Sequence, residues 1–396
     1  MNTPKSLRLQ IGIFGRRNVG KSSILNALTR QDVSIVSSEK GTTTDPVEKA
    51  MELQPLGPVL FIDTAGIDDE GELGALRVQK TRAVYDRCDL ALIVTDGVWG
   101  EDEIQLVETF RCRQTPLIAV LNQSDCHSYD ALQAQLSSEG IDTVVMSMRD
   151  GVGVESLLES MIAHAPSEFL ESRSMLEGLV APNDHVLLVI PIDKEAPKGR
   201  LILPQVQTIR AILDSAATCT VCRETQVAQT IASMKAAPKL VITDSQVFET
   251  VNAQLPREIP LTGFSVLFAR LKGDLKTLAE GAKKISSLRE GDKVLIAEAC
   301  THHPIQEDIG RVKLPNWLRK AVGGDLQIDV MSGVAFPENL GEYDLVIHCG
   351  ACMWNRRQML SRIHKAQRAG VPMTNYGLAI AAFHGILARA LEPFGL

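Results

Sequence analysis

The octapeptide Gly15-Arg16-Arg17-Asn18-Val19-Gly20-Lys21-Ser22 constrains this chain more than any other segment. It fits the spacing G-x-x-x-x-G-K-[ST]. Its glycines let backbone N–H groups curl around a phosphate, and the helix that follows turns its positive end on the same charge. An apolar run, Leu9–Phe14, precedes the turn, and a helical pattern follows over 22–28. Strand, glycine turn and helix in that order are the setting in which the motif holds phosphate. Lys21 is expected to reach the outer phosphates and the Ser22 hydroxyl to ligate Mg²⁺. Gly15, Asn18, Val19, Gly20 and Ser23 complete the expected cradle.

Behind this turn the strand–helix alternation continues. Runs over 59–62, 90–94, Leu117–Leu121 and 144–146 read as buried strands, and 153–163 as an amphipathic helix closed by Pro166. Residues 166–184 read as a connector. Strand signals resume over 185–190, and two strand–helix units follow, the first around Cys219 and the second around Leu240. A third region opens with one helix over 264–285 and carries strands over Lys293–Glu298, 327–331 and 344–348. The expectation is an α/β chain of three domains. A P-loop nucleotide domain occupies 1–168, and two smaller parallel-sheet domains occupy 176–258 and 262–396. At 396 residues, such a chain buries large cores without disulfide staples.

Charge and composition narrow the partners. The net charge of −7 and an aromatic content of 4% argue against a nucleic-acid footprint or a stacking platform. The same sign argues against membrane attraction. The longest apolar stretch, 378–391, is broken by His384 and Arg389 and is too short to span a bilayer. The first residues lack the apolar core of a secretion signal. A cytoplasmic protein is expected, and its eight cysteines are too sparse for a disulfide scaffold.

Four further pieces follow the P-loop in order. Asp63-Thr64-Ala65-Gly66 comes directly after a strand, so Asp63 can hold Mg²⁺ through water and the Gly66 N–H can face the γ-phosphate. In Gly41-Thr42-Thr43-Thr44-Asp45 a hydroxyl can ligate Mg²⁺; Thr43 is favoured, with Thr44 its rival. Asn122-Gln123-Ser124-Asp125 follows another strand. The Asp125 carboxylate can accept from both the ring N–H and the amino group of guanine, a pair adenine cannot offer. Ser147 is placed for a base-contacting loop. The nucleotide is therefore expected to be GTP, with Mg²⁺.

This constellation resembles the translation-factor-like GTPases, in particular the branch of the tRNA-modification GTPase, over residues ~8–165. Two positions depart from that branch. Gln123 stands where a lysine usually packs on the guanine, and Met148 where alanine is usual. Ile67 stands where Ras-like enzymes carry a water-orienting glutamine, and it has no polar atom to offer. Asn18 matches an asparagine that ligates K⁺ in the resembled branch. The resemblance therefore implies slow, K⁺-activated hydrolysis, with Lys21, Asn18 and Gly66 as catalytic residues.

A second constellation lies near the far end. Cys300 follows one strand; Cys349 and Cys352 follow another, with Gly350 expected to let the chain turn between them. Ligand sites in parallel sheets lie beyond the carboxyl ends of strands, so three thiols are expected at one edge, suited to iron–sulfur or zinc. A fourth ligand is left open between His302 and Glu307. His348 is expected to point away from Cys349 and to act from behind the ligands. Cys219 and Cys222 sit in one strand on opposite faces and chelate poorly. Cys88, Cys112 and Cys126 read as small buried hydrophobes.

A C-x-H followed by H-C-x-x-C behind a GTPase domain of this branch resembles the maturation GTPases of FeFe-hydrogenase, the HydF family, over essentially the whole chain. The resemblance implies a homodimer with a 4Fe-4S cluster on Cys300, Cys349 and Cys352. It also implies a carrier that takes a transient diiron precursor built with radical-SAM maturases and delivers it to apo FeFe-hydrogenase. The rivals are a tRNA-modification or ribosome-associated GTPase, which leaves the thiols unexplained, and a GTP-dependent adaptor with a structural zinc site.

Overall fold

The computed structural model describes residues 3–30, 35–39, 46–68, 71–170, 174–192, 201–299, 309–333 and 336–396. The chain forms two compact units, Met1–Ser172 and Arg173–Leu396.

The first unit is built on a seven-stranded sheet. Its strands are β1 (Leu9–Phe14), β2 (Ile35–Glu39), β3 (Val47–Leu53), β4 (Gly57–Asp63), β5 (Leu90–Thr95), β6 (Leu117–Leu121) and β7 (Asp142–Val145). The spatial order is β2-β3-β4-β1-β5-β6-β7. Strands β4, β1, β5, β6 and β7 run parallel, whereas β2 and β3 form an antiparallel extension. β1 and β5 are buried along their full length because helices cover both faces, which explains their unbroken apolar sequences. Leu9, Ile11 and Ile13 enter one core and Phe14 the other, as the pleat requires. Each such fully buried side chain contributes roughly 1.5–3 kcal/mol. The chain leaves β1 toward β4 and later crosses to β5 on its other side, so a crevice opens at the end of β1.

The second unit carries two four-stranded parallel sheets. One contains β8 (His185–Val189), β9 (Thr218–Cys222), β10 (Leu240–Thr243) and β11 (Leu261–Gly263), in the order β11-β10-β8-β9. The other contains β12 (Lys293–Glu298), β13 (Gln327–Ser332), β14 (Leu345–His348) and β15 (Met373–Asn375), in the order β13-β12-β14-β15. The three-domain α/β architecture expected from the sequence is thus present. Two elements differ from the sequence reading. β11 pairs with β10 in the central sheet although it lies beyond residue 258. The single helix expected over 264–285 is two helices, Phe264–Lys272 and Leu275–Lys283, separated at Gly273. The first of them is buried on two faces. Phe264, Leu267 and Phe268 pack into the central core, and Val266 and Ala269 into the C-terminal core. A helix buried on two sides has no polar stripe to mark where one region ends. Among the described residues, no helix is long and apolar enough to cross a membrane.

Candidate functional site

The P-loop is held open by its own lysine and by a neighbouring strand. Lys21 Nζ donates to Gly15 O at 2.9 Å and to Arg16 O at 2.6 Å. Helix Lys21–Arg30 begins there, so its first N–H groups border the loop. A Cβ on Gly20 would lie 2.3 Å from Asn122 Nδ2, and φ there is +96°. Only glycine allows that approach. Asn122, 2% exposed at the end of β6, donates through Nδ2 to Val19 O at 2.9 Å. Asn18 has φ 62°, and Gln123 Nε2 donates to its carbonyl at 3.4 Å. Gln123 therefore contacts the P-loop backbone from the position where the resembled branch has its lysine.

The side of the loop expected to face Mg²⁺ has a matched donor and acceptor. Ser22 Oγ donates to Asp63 Oδ2 at 2.6 Å. Asp63 Oδ1 is buried without a hydrogen-bond partner. Burial raises the pKa of this carboxyl and outweighs the opposing Ser22 hydrogen bond and the charges of Lys21 and Lys49. An orphaned carboxylate oxygen beside a serine hydroxyl fits a hydrated Mg²⁺. Thr64 Oγ1 donates to Ile13 O at 2.7 Å and pins the segment to β1. Ile67 N–H donates to Gly15 O at 3.3 Å, and its side chain packs against the core, away from any role with water. Asp68, which sequence reasoning missed, accepts the Arg17 N–H at 2.8 Å. A Cβ on Gly66 would meet Arg17 Cγ at 2.5 Å, so the loop after β4 lies directly on the P-loop. Thr43 and Thr44 lie outside the described residues.

The residues expected to select the base meet at the ends of β6 and β7. Ser147 Oγ lies 3.1 Å from Asp125 Oδ1 and 3.0 Å from Asp150 Oδ2. Desolvation alone would raise the Asp125 pKa. Donors from Cys126, Ser147 and the backbone prevail and hold it below the usual range, so the carboxylate stays ionised as an acceptor.

In the second unit, Cys349 follows β14, and its Sγ accepts the N–H of Ala299 at 3.0 Å. Ala299 directly precedes Cys300, so the ends of β12 and β14 meet at the thiol. Cys300, His302 and Glu307 lie outside the described residues. Among the described residues no cluster of three metal-ligating side chains occurs. The turn between Cys349 and Cys352 is made at Ala351, with φ 46°, and not at Gly350 as expected. His348 is fully buried. Its Nδ1 lies 2.7 Å from Cys349 O and its Nε2 2.8 Å from Arg362 Nη1. Because a guanidinium only donates, Nε2 accepts and Nδ1 carries the proton. Burial and the Arg362 charge push its pKa down to about 3. Neutral and engaged at both nitrogens, His348 orients the Cys349 backbone. Lys272, also missed from the sequence, donates to Cys352 O and to Trp354 O, each at 2.7 Å. Burial pushes this lysine down to about 8.

The remaining cysteines divide. Cys88 is buried, as expected, and Cys219 and Cys222 lie in β9. Cys112 and Cys126 are exposed and not the buried hydrophobes expected. One ends helix Glu101–Cys112 and the other sits in the loop after β6, where the chain turns to solvent.

Residues 10–123 match the family model of the 50S ribosome-binding GTPase. Residues 175–273 match the hydrogen maturase F dimerization domain, and 276–393 match the hydrogen maturase F tetramerization domain. The tRNA modification GTPase MnmE of Desulfotalea psychrophila is 34% identical over 154 residues, 38% of this chain and 33% of that protein. GTPase Der of Xanthomonas campestris pv. campestris is 33% identical over 163 residues, 40% of this chain and 35% of that protein. The chain thus spans about a third of the length of the curated relatives it matches. The G domain of the T. maritima iron transporter FeoB covers 40% of this chain and 98% of its own, at 24% identity and a TM-score of 0.31.

Proposed function

The chain belongs to the hydrogen maturase F family, and from that premise we propose that it is a GTP-hydrolysing scaffold and carrier. It assembles the diiron precursor with radical-SAM maturases and delivers it to apo FeFe-hydrogenase. A 4Fe-4S cluster rests on Cys300, Cys349 and Cys352, with His302 or Glu307 as the exchangeable fourth ligand. The observation that carries the cluster reading is the hydrogen bond from Ala299 N–H to Cys349 Sγ. It brings together the ends of β12 and β14, the two strands that the proposed ligands follow in sequence, and backbone donors of this kind tune cluster sulfurs. When bound, the cluster supplies an iron site that an incoming ligand can occupy.

The nucleotide half works as a switch. Lys21 and the backbone N–H groups of the P-loop bind the phosphates, and Ser22 and Asp63 hold Mg²⁺, with Thr43 completing its ligands. Asp125 reads guanine. Ile67 offers nothing to orient water, so hydrolysis is slow and draws on K⁺ at Asn18. The segments after Gly66 and around Thr43 gate partner binding with nucleotide state.

Self-association is supported by the two family models of the second unit. A homodimer through the central domain has a physical basis in β9, an edge strand with Val221 50% exposed. Such an edge invites pairing with a second copy.

Anaerobic purification and metal analysis test the cluster reading. The expected protein is brown, with equal iron and sulfide, and loses both on Cys300→Ala, Cys349→Ala or Cys352→Ala. A colourless protein with stoichiometric zinc would overturn it. Delivery is tested by mixing the loaded chain with apo-hydrogenase and measuring hydrogen evolution.

A further inference from the structure

Lys272 is the last residue of helix Phe264–Lys272 and is 4% exposed. Its ammonium lies 2.7 Å from Cys352 O, 2.7 Å from Trp354 O and 3.4 Å from Ala351 O. An ammonium has three N–H donors, and three carbonyls of one short loop receive them. These carbonyls converge because Ala351 adopts a left-handed conformation, which L-residues other than glycine rarely take. A loop held in that shape needs something at its centre to collect the carbonyls, and the lysine stands there.

The attachment runs both ways. Arg356 opens the helix that leaves this loop. Its Nη1 donates to Leu271 O at 3.1 Å and to Gly273 O at 2.8 Å. Those carbonyls belong to the end of the helix that carries Lys272, where helical carbonyls lack partners of their own. Packing follows the same division, with Cys352 against the core of the central sheet and Cys349 against that of the C-terminal sheet. The loop that carries both thiols therefore straddles two cores, and the helix between those cores supplies the lysine.

We propose that Lys272 is the positioning residue of the C-terminal thiol site. Its ammonium gathers the carbonyls of loop 349–354, sets the spacing of Cys349 and Cys352, and places a positive charge beside the cluster they hold. The proposal rests on the cluster reading above. Positive charge near a cluster favours its reduced form and raises its potential.

Lys272→Met removes the donors and the charge at similar length, and Lys272→Arg keeps both. Three measurements on the full chain decide. The first is amide hydrogen exchange of residues 349–355 in cluster-free protein, with β8 and β10 amides as the folding control. The second is the rate of iron loss to a chelator after reconstitution, and the third is the midpoint potential of the cluster. For Lys272→Met, exchange in the loop and iron loss should each quicken about tenfold or more, while the control amides keep their protection. The potential should fall, and Lys272→Arg should restore all three toward wild type. A Met variant with wild-type loop exchange overturns the proposal, as does one with wild-type potential. Should the Met variant lose the control protection as well, Lys272→Gln, which keeps a donor, is judged by the same criteria. A wild-type chain that binds no iron sinks the cluster reading, whereas loop exchange in the cluster-free variant still tests Lys272.

Discussion

Ser22 Oγ and Asp63 Oδ2 are 2.6 Å apart, and the second oxygen of that same carboxylate is buried with no partner. The pair fits half of the coordination site proposed for Mg²⁺. One oxygen is satisfied by the serine, and the other bears the cost of burial until a hydrated cation meets it.

The sign of this cost is fixed by the direction of the shift. Burial raises the Asp63 pKa above its unfolded value. The folded chain then holds the proton more tightly, so stability present at low pH is lost as pH rises through the interval between the two values. At neutral pH the ionised group costs stability. Asp63→Asn removes the charge and keeps an acceptor for Ser22. Without nucleotide, its melting temperature should rise by about 2–4 °C. The added stability that wild type gains from Mg²⁺ with GTP should vanish. Thermal unfolding with and without Mg²⁺–GTP checks both; a destabilised variant, or one still stabilised by the pair, contradicts this account.

Asn18 is expected to confer K⁺ dependence on hydrolysis. GTP turnover in KCl should exceed turnover in NaCl at equal ionic strength. Alanine at φ 62° would add strain of its own, so Asn18→Gly is the cleaner test, because glycine accepts that conformation freely. The variant should turn over equally in both salts. Equal rates in wild type would remove K⁺ from the mechanism.

Nucleotide chemistry and iron binding should separate, because the P-loop and the thiol loop lie in different compact units. Lys21→Ala should abolish hydrolysis and leave iron and sulfide content at the wild-type level. Metal analysis and phosphate release on the same preparation decide it, and loss of iron would argue against independent units.

What was legible in the sequence depended on whether a function was carried by local spacing. Gly15 to Ser22, Asp63 to Gly66 and Asn122 to Asp125 are each contiguous, and each stands at the end of a strand, β1, β4 and β6 in turn, so local pattern was enough to locate the three motifs on the fold. Lys272 and Arg362 were not legible. Each is one cation among others on its helix, and its partners, Cys352 and Trp354 for one and His348 for the other, stand 14 to 82 positions away. No local pattern distinguishes them from a solvated lysine or arginine. The turn at Ala351 was misplaced onto Gly350 because glycine is the usual bearer of positive φ, and here its neighbour adopts it. β11 was missed because three residues, Leu261–Gly263, are too few to show a period.

Arg389 gives the last test, of whether the central and C-terminal sheets act as one unit. This arginine, 6% exposed on helix Leu387–Leu391, donates to Asn252 Oδ1 at 2.7 Å, Pro256 O at 2.6 Å and Ile259 O at 3.1 Å. Nearby, Thr262 Oγ1 donates to Ala390 O at 2.9 Å. Arg389→Met preserves much of the packing and strands three acceptors, two of them main-chain carbonyls. Loss of charge-assisted bonds at a buried joint should cost about 2–4 kcal/mol. Calorimetry of the full chain should show one transition that Mg²⁺–GTP raises and another that Arg389→Met lowers. The second should fall as a single cooperative step, since the helix Phe264–Lys272 contributes to both cores and neither sheet can release it alone. A variant in which that step splits in two, or in which the nucleotide-sensitive transition moves equally, would show that Arg389 does not join the sheets in the way its three hydrogen bonds imply.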